Sequence, residues 1–132
     1  MNVAELVNGG KTDINITLDK NIDLTGKGWT PIGTSFDNSY KGTFDGGGHT
    51  ITGLAVTGSD QYAGLFGHIG SGGTVKNVTL KDVKIESNHS SGNVGGVAGW
   101  SYGNIEYCSV SGSVSSNSTA GGVVGYQSDG AI

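Results

Sequence analysis

The sequence predicts an all-β solenoid of stacked, glycine-rich coils, and three observations carry that prediction. Valine, isoleucine and threonine recur in runs of about four to six residues, each bounded by Gly, Asn, Asp or Ser, which is the pattern of many short strands and turns. An apolar triple then repeats along the chain. Each copy of it is followed by a second signature, Gly-x-x-Gly. With 26 glycines and 14% charged residues in 132 positions, the composition fits neither a helical bundle nor a charged disordered tail.

Taken in order, the chain opens on a capping segment expected over residues 1–12. Asn2 and Glu5 resemble a helix capping box, Val3, Leu6 and Val7 share one helical face, and Gly9-Gly10 would stop the short helix. Solenoid repeats are expected from 13 to 132. Ile14, Ile16, Leu18, Ile22 and Leu24 alternate with outward polar residues. Among these, Asp13, Asn15, Asp19, Asn21 and Asp23 supply oxygens of the kind calcium uses, but their spacing departs from the calcium-binding nonapeptide, so ordinary strand periodicity explains them better.

The repeat itself is read from three segments aligned without gaps: Thr50–Val56, Thr74–Leu80 and Asn104–Val110. Apolar side chains three and then two residues apart fit neither a helix stripe nor an uninterrupted strand, so a corner is expected inside the first gap. Gly53 and Asn77 tolerate the left-handed backbone of such a corner, whereas Tyr107 at the third equivalent place does not share that ease. Offsets of 24 and 30 residues belong to solenoids, in which a coil buries its apolar face only against neighbours. Parallel stacking then places Ile51, Val75 and Ile105 in one column and Leu54, Val78 and Cys108 in the next. At the far end the chain stops soon after its third Gly-x-x-Gly, so an uncovered coil, further coils in a parent protein and end-to-end self-association are expected.

Several function classes are disfavoured. The net charge is −4, with seven lysines and no arginine, which removes the residue best suited to phosphate recognition and argues against nucleic-acid binding. No apolar stretch reaches the roughly 20 residues of a membrane span, so no membrane insertion is expected of this segment. Cys108 is the single cysteine, which rules out an internal disulfide. The first residues lack a signal-peptide pattern, and a secreted parent would make this chain an excised piece.

Gly64-Leu-Phe-Gly67, Gly96-Val-Ala-Gly99 and Gly122-Val-Val-Gly125, behind Trp29-Thr-Pro-Ile-Gly33 and Phe44-Asp-Gly-Gly-Gly-His49, resemble bacterial GLUG-motif repeat proteins over nearly the whole chain. The resemblance implies a right-handed parallel β-helix within large exported proteins, including adhesin-like surface proteins and some immunoglobulin A1 metallopeptidases. It implies no reaction and no catalytic residue. The expected function is therefore a non-catalytic stalk or adhesion module, secreted or on the bacterial cell surface, with no cofactor and with host or matrix glycans or proteins as partners. A carbohydrate-active or carbohydrate-binding β-helix is the alternative.

Candidate site residues are weighed against their structural roles. His68, Trp100 and Tyr126 each follow a Gly-x-x-Gly directly and are expected to form an aromatic column, either stacking on sugar rings or packing on one another. The Asp45 turn is similar to one in pectin-degrading β-helices, yet a lone carboxylate cannot perform two-carboxylate hydrolysis, and a turn role is favoured. His49, His68 and His89 lack zinc-site spacing, and no metal is expected there. Cys108 is expected to be a small buried hydrophobe. Sequons at Asn15, Asn77, Asn88 and Asn117 follow from a Ser- and Thr-rich composition.

Overall fold

The computed structural model describes residues 8–128, and every regular element from Ile16 to Gln127 is a strand. Strands β1 (Ile16–Thr17), β3 (Thr43–Asp45), β8 (Thr74–Lys76) and β12 (Asn104–Glu106) form one sheet in that order. A second holds β2 (Ile22–Asp23), β4 (Thr50–Thr52), β9 (Thr79–Ser87) and β13 (Ser109–Ser116), with β5 (Ala55–Val56) also paired to β9. A third holds β6 (Tyr62–Ala63), β10 (Asn93–Gly95) and β14 (Thr119–Gly121). The fourth holds β7 (Phe66–Ile69), β11 (Ala98–Ser101) and β15 (Val124–Gln127).

Every pairing is parallel, and each sheet takes its strands from successive passes of the chain. That is a parallel β-solenoid of about four coils, as the repeat predicts. Short strands suffice because each backbone group bonds to the coil above or below, while the turns need only redirect the chain. Inward side chains fill the interior in columns. Ile16, Phe44, Val75 and Ile105 are in register in the first sheet, and Ile22, Ile51, Leu80 and Val110 in the second. Tyr40 is fully buried beside Phe66, and its hydroxyl escapes the cost of burial by donating to the Ile14 carbonyl at 2.6 Å.

Two expectations need correction. The N-terminal capping helix is not supported among the described residues: residues 1–7, where it was expected, lie outside them, and the described stretch begins at its expected stop, a Gly9-Gly10 turn with Gly10 at φ 113°. The gapless alignment also misplaces the first copy. Thr43–Asp45, not Thr50–Thr52, pairs with Thr74–Lys76, so Val75 stacks on Phe44 while Ile51 belongs to the column of Leu80. The cause is a corner of unequal length, since Gly46–His49 occupy the place that Asn77 and Val78 fill in the next coil. Leu54, directly before the Ala55 that pairs with Lys84, therefore lies level with Val83 and not with Val78.

The equivalence of Val78 and Cys108 does hold, one step before the pair Thr79 and Ser109. Val78 is fully buried, whereas Cys108 is half-buried against the core with its thiol 3.3 Å from the Glu106 carbonyl oxygen. Burial raises the Cys108 thiol pKa, which leaves it a poor nucleophile.

The same corner carries backbone strain. Asn77 (φ 58°) and Tyr107 (φ 52°) both take the left-handed conformation, which asparagine accepts and tyrosine resists. Tyr107 is 88% exposed, so its ring returns little packing. Tyr107→Asn should therefore stabilise the fold by about 1 kcal/mol. A thermal midpoint that stays put or falls would show that the tyrosine is held there by something other than backbone geometry.

Candidate functional site

Parallel register in the fourth sheet decides which side chains meet on its outer side. β11 pairs with β7 and β15 so that His68, Trp100 and Tyr126 stand in one row, and the residue after each Gly-x-x-Gly forms the column read from the sequence. His68 and Trp100 are stacked at 6.1 Å between centroids and 14° between planes. Trp100 and Tyr126 stack more tightly, at 4.1 Å and 25°.

The glycines that close the motif make this row possible. A Cβ at Gly67 would lie 3.1 Å from the Tyr62 carbonyl oxygen and closer still to that of Gly33; at Gly125 it would lie 2.6 Å from the Gly99 carbonyl oxygen. The strand bearing the aromatic residue therefore packs backbone to backbone against its neighbours, with no room for a methyl group.

Three further rings surround the column. Tyr62 meets His68 edge-on at 5.3 Å, Phe36 meets it edge-on at 5.9 Å, and Tyr102 lies 5.8 Å from it. Tyr102 lies two residues after Trp100 in the turn that follows β11, where strand alternation gives no signal for it. Phe36 lies in a loop outside the repeat, and no periodic signal marks it. His68 is thereby buried to 2% exposure, and burial lowers its pKa to about 4, so the ring is neutral at neutral pH. His68 Nδ1 and Trp100 Nε1 are buried without a hydrogen-bond partner among the described residues.

This geometry limits what the column can bind. A sugar stacks on the open face of a ring, but Trp100 has His68 over one face and Tyr126 over the other. Of the column and the rings around it, Tyr126, at 45% exposure, and Phe36, at 68%, present the most aromatic surface.

The other candidates are engaged in turns and ladders. Asp45 Oδ1 accepts the Gly47 amide at 2.8 Å and the Asn77 side-chain amide at 3.1 Å, and these bonds hold its carboxyl below the usual range. Asn15 and Asn21 side chains accept the Thr43 and Thr50 amides of the next coil, each at 2.9 Å. Asp23 accepts the Thr25 amide. Among the described residues no three His, Cys, Asp or Glu side chains gather as a metal would need, and no helix is long and apolar enough to cross a membrane.

Comparison with known proteins finds the repeat elsewhere. The family model described as "The GLUG motif" matches residues 90–115. This chain carries the GLUG motif. The matched GLUG stretch enters just before β10, passes through β11 and β12 and ends inside β13, so it traces one circuit through all four sheets. Two relatives are similar to most of the chain. Halomucin of the archaeon Haloquadratum walsbyi is 40% identical over 119 residues, which cover 83% of this chain and 1% of Halomucin. A protein of Evansella cellulosilytica described as a Gly-rich membrane protein is 38% identical over 97 residues, covering 73% of this chain and 11% of that protein. The GLUG chain thus spans only a small part of the relatives it matches. No solved structure matches it at a significant level.

Proposed function

We propose that this GLUG chain is a non-catalytic solenoid segment of a secreted or cell-surface protein, acting as a stalk that carries binding surfaces away from their anchor. The observation that carries this reading is the in-register parallel stacking of about four near-equivalent coils, because a further coil lengthens such a body without changing its cross-section. Right-handed winding follows from the strong preference of parallel strand crossovers. The small share of both relatives that the chain covers agrees with a segment reused inside long proteins. Residues 1–12 would serve as the cap: an apolar cavity of about 130 Å³, lined by Leu18, Leu24 and Trp29 among others, opens at the first coil, and Asn8 is pinned beside it by bonds to Pro31 and Gly33. Self-association through the last coil belongs to the same proposal, since among the described residues β12 to β15 each have one unpaired side.

Within this reading the His68, Trp100 and Tyr126 column is a clamp between coils, not the adhesive surface. Small-angle scattering on chains with one and two copies of the four coils tests the stalk: the longest dimension should grow by about 4.8 Å per added coil. A compact body whose length does not follow coil number would refute it. Trp100→Ala tests the clamp, with an expected loss of about 2 kcal/mol from the two stacked pairs and the buried area. An unchanged unfolding transition would return the column to the list of recognition sites.

A further inference from the structure

We propose that the corner joining the fourth sheet to the first is a binding groove for an anionic pyranose unit of a polysaccharide. A groove of about 430 Å³ lies there, lined by Phe36, Ser39, Lys41, Gly70, Ser71 and Tyr102. Three successive coils build it. Phe36 and Lys41 come from the first pass, Gly70 and Ser71 from the turn after β7, and Tyr102 from the turn after β11. The middle coil turns its corner with Gly70-Ser71-Gly72-Gly73, and Gly70 packs closely on the preceding coil, with no room for a methyl group beside Ser39 and Lys41.

The lining sets the ligand class. Phe36 is 68% exposed, a large apolar surface kept in water at the rim of a cavity, and Tyr102 stands 6.0 Å from it edge-on, so two aromatic rings meet at the groove. Aromatic faces hold the C–H face of a pyranose, while Ser39 and Ser71 supply hydroxyls for its polar rim. Among the described residues Lys41 is the one charged lining residue, and no carboxylate among them lines the groove to oppose an anion. Its stem lies across Gly70, where a Cβ would sit 2.9 Å from Lys41 Cγ, so the ammonium starts from a fixed base. A uronate carboxylate or a sugar sulfate would meet it in a charge-assisted hydrogen bond. The groove adjoins the clamp, sharing Phe36 and Tyr102 with the rings around His68, and it stands even if the stalk reading fails.

The test is a two-dimensional amide NMR titration of the whole chain with oligogalacturonate, with neutral oligogalactose and a sulfated galactan in parallel. Oligogalacturonate should shift the amides of Ser39, Gly70, Ser71 and Tyr102 in a salt-dependent way, and the neutral sugar should bind about tenfold more weakly. Stronger shifts by the sulfated chain would keep the site and make sulfate its anion. Lys41→Gln should lower uronate affinity about tenfold with thermal unfolding unchanged, and Phe36→Ser should abolish binding. Equal binding of the neutral sugar, undiminished binding by Lys41→Gln, or shifts that miss these four amides would overturn the proposal. Should Phe36→Ser melt early, the map on the unmodified chain and the Lys41→Gln result decide alone.

Discussion

A single methyl group at Gly99 should be enough to cost the fold about 3 kcal/mol, a large part of the stability available to a chain of this size. A Cβ there would lie 2.8 Å from the Ala63 nitrogen, 3.1 Å from the Gly67 carbonyl oxygen and nearer still to the carbonyl oxygen of Asn93. Each of those atoms is backbone, and two belong to the neighbouring coil, so no side chain can rotate to make room. Relief requires separating strands whose hydrogen bonds hold β11 on β7. Gly122→Ala is the control, because a Cβ at that first glycine of the third Gly-x-x-Gly meets nothing within 4 Å. Denaturant unfolding should show a steep loss for Gly99→Ala and almost none for Gly122→Ala. Similar losses in both would mean that the motif's glycines serve backbone entropy or folding kinetics, and that close approach of the coils is not their reason.

That contrast also shows what the sequence could and could not disclose. The recurrence of Gly-x-x-Gly pointed to the aromatic row because residues at a fixed offset from a stacked motif must themselves stack, and His68, Trp100 and Tyr126 do. Val75 over Ile105 and Val78 beside Cys108 were legible for the same reason, their two segments having equal corners. Ile51 was misplaced because a gapless comparison cannot see a corner loop of different length, and apolar residues on either side of Gly46–His49 suit both columns equally well. The rings closing over His68 were missed on other grounds. Phe36 reaches it from a loop with no counterpart in later coils, and Tyr62 arrives from a different sheet, so neither contact has a local period to betray it. Asp13, Asn15, Asp19, Asn21 and Asp23 were read as outward-facing strand residues, but the bonds that Asn15 and Asn21 accept from the next coil depend on coil-to-coil register, which one strand does not reveal.

Acidification should expose the buried histidine as a weak point well before the carboxylates begin to protonate. His68 is 2% exposed among Phe36, Tyr62, Trp100 and Tyr102, and burial lowers its pKa from 6.5 to about 4. In the unfolded chain the imidazole takes a proton near pH 6.5; in the folded chain it resists until about pH 4. Between those values the unfolded state binds more protons, so stability is complete above about pH 6.5 and drains away as the pH falls to about 4. At about 1.4 kcal/mol per pH unit the loss over these roughly 2.5 units is about 3 to 4 kcal/mol, an upper figure because the surrounding ring faces attract an imidazolium and return part of it. Asp23 and Asp45 contribute in a separate window. Hydrogen bonds, from Thr25 to the first and from Gly47 and Asn77 to the second, hold both carboxyls below their ordinary range, so their share is lost only as the pH falls below about 4. His68→Phe keeps a flat ring in the stack and removes the titration, so its unfolding free energy should stay level where that of the unmodified chain declines. A direct NMR titration of the His68 ring supplies the second readout: a midpoint near 6.5 in the folded chain, or an equal decline in His68→Phe, would show that the imidazole is open to water and that the rings around it do not seal the coil-to-coil clamp.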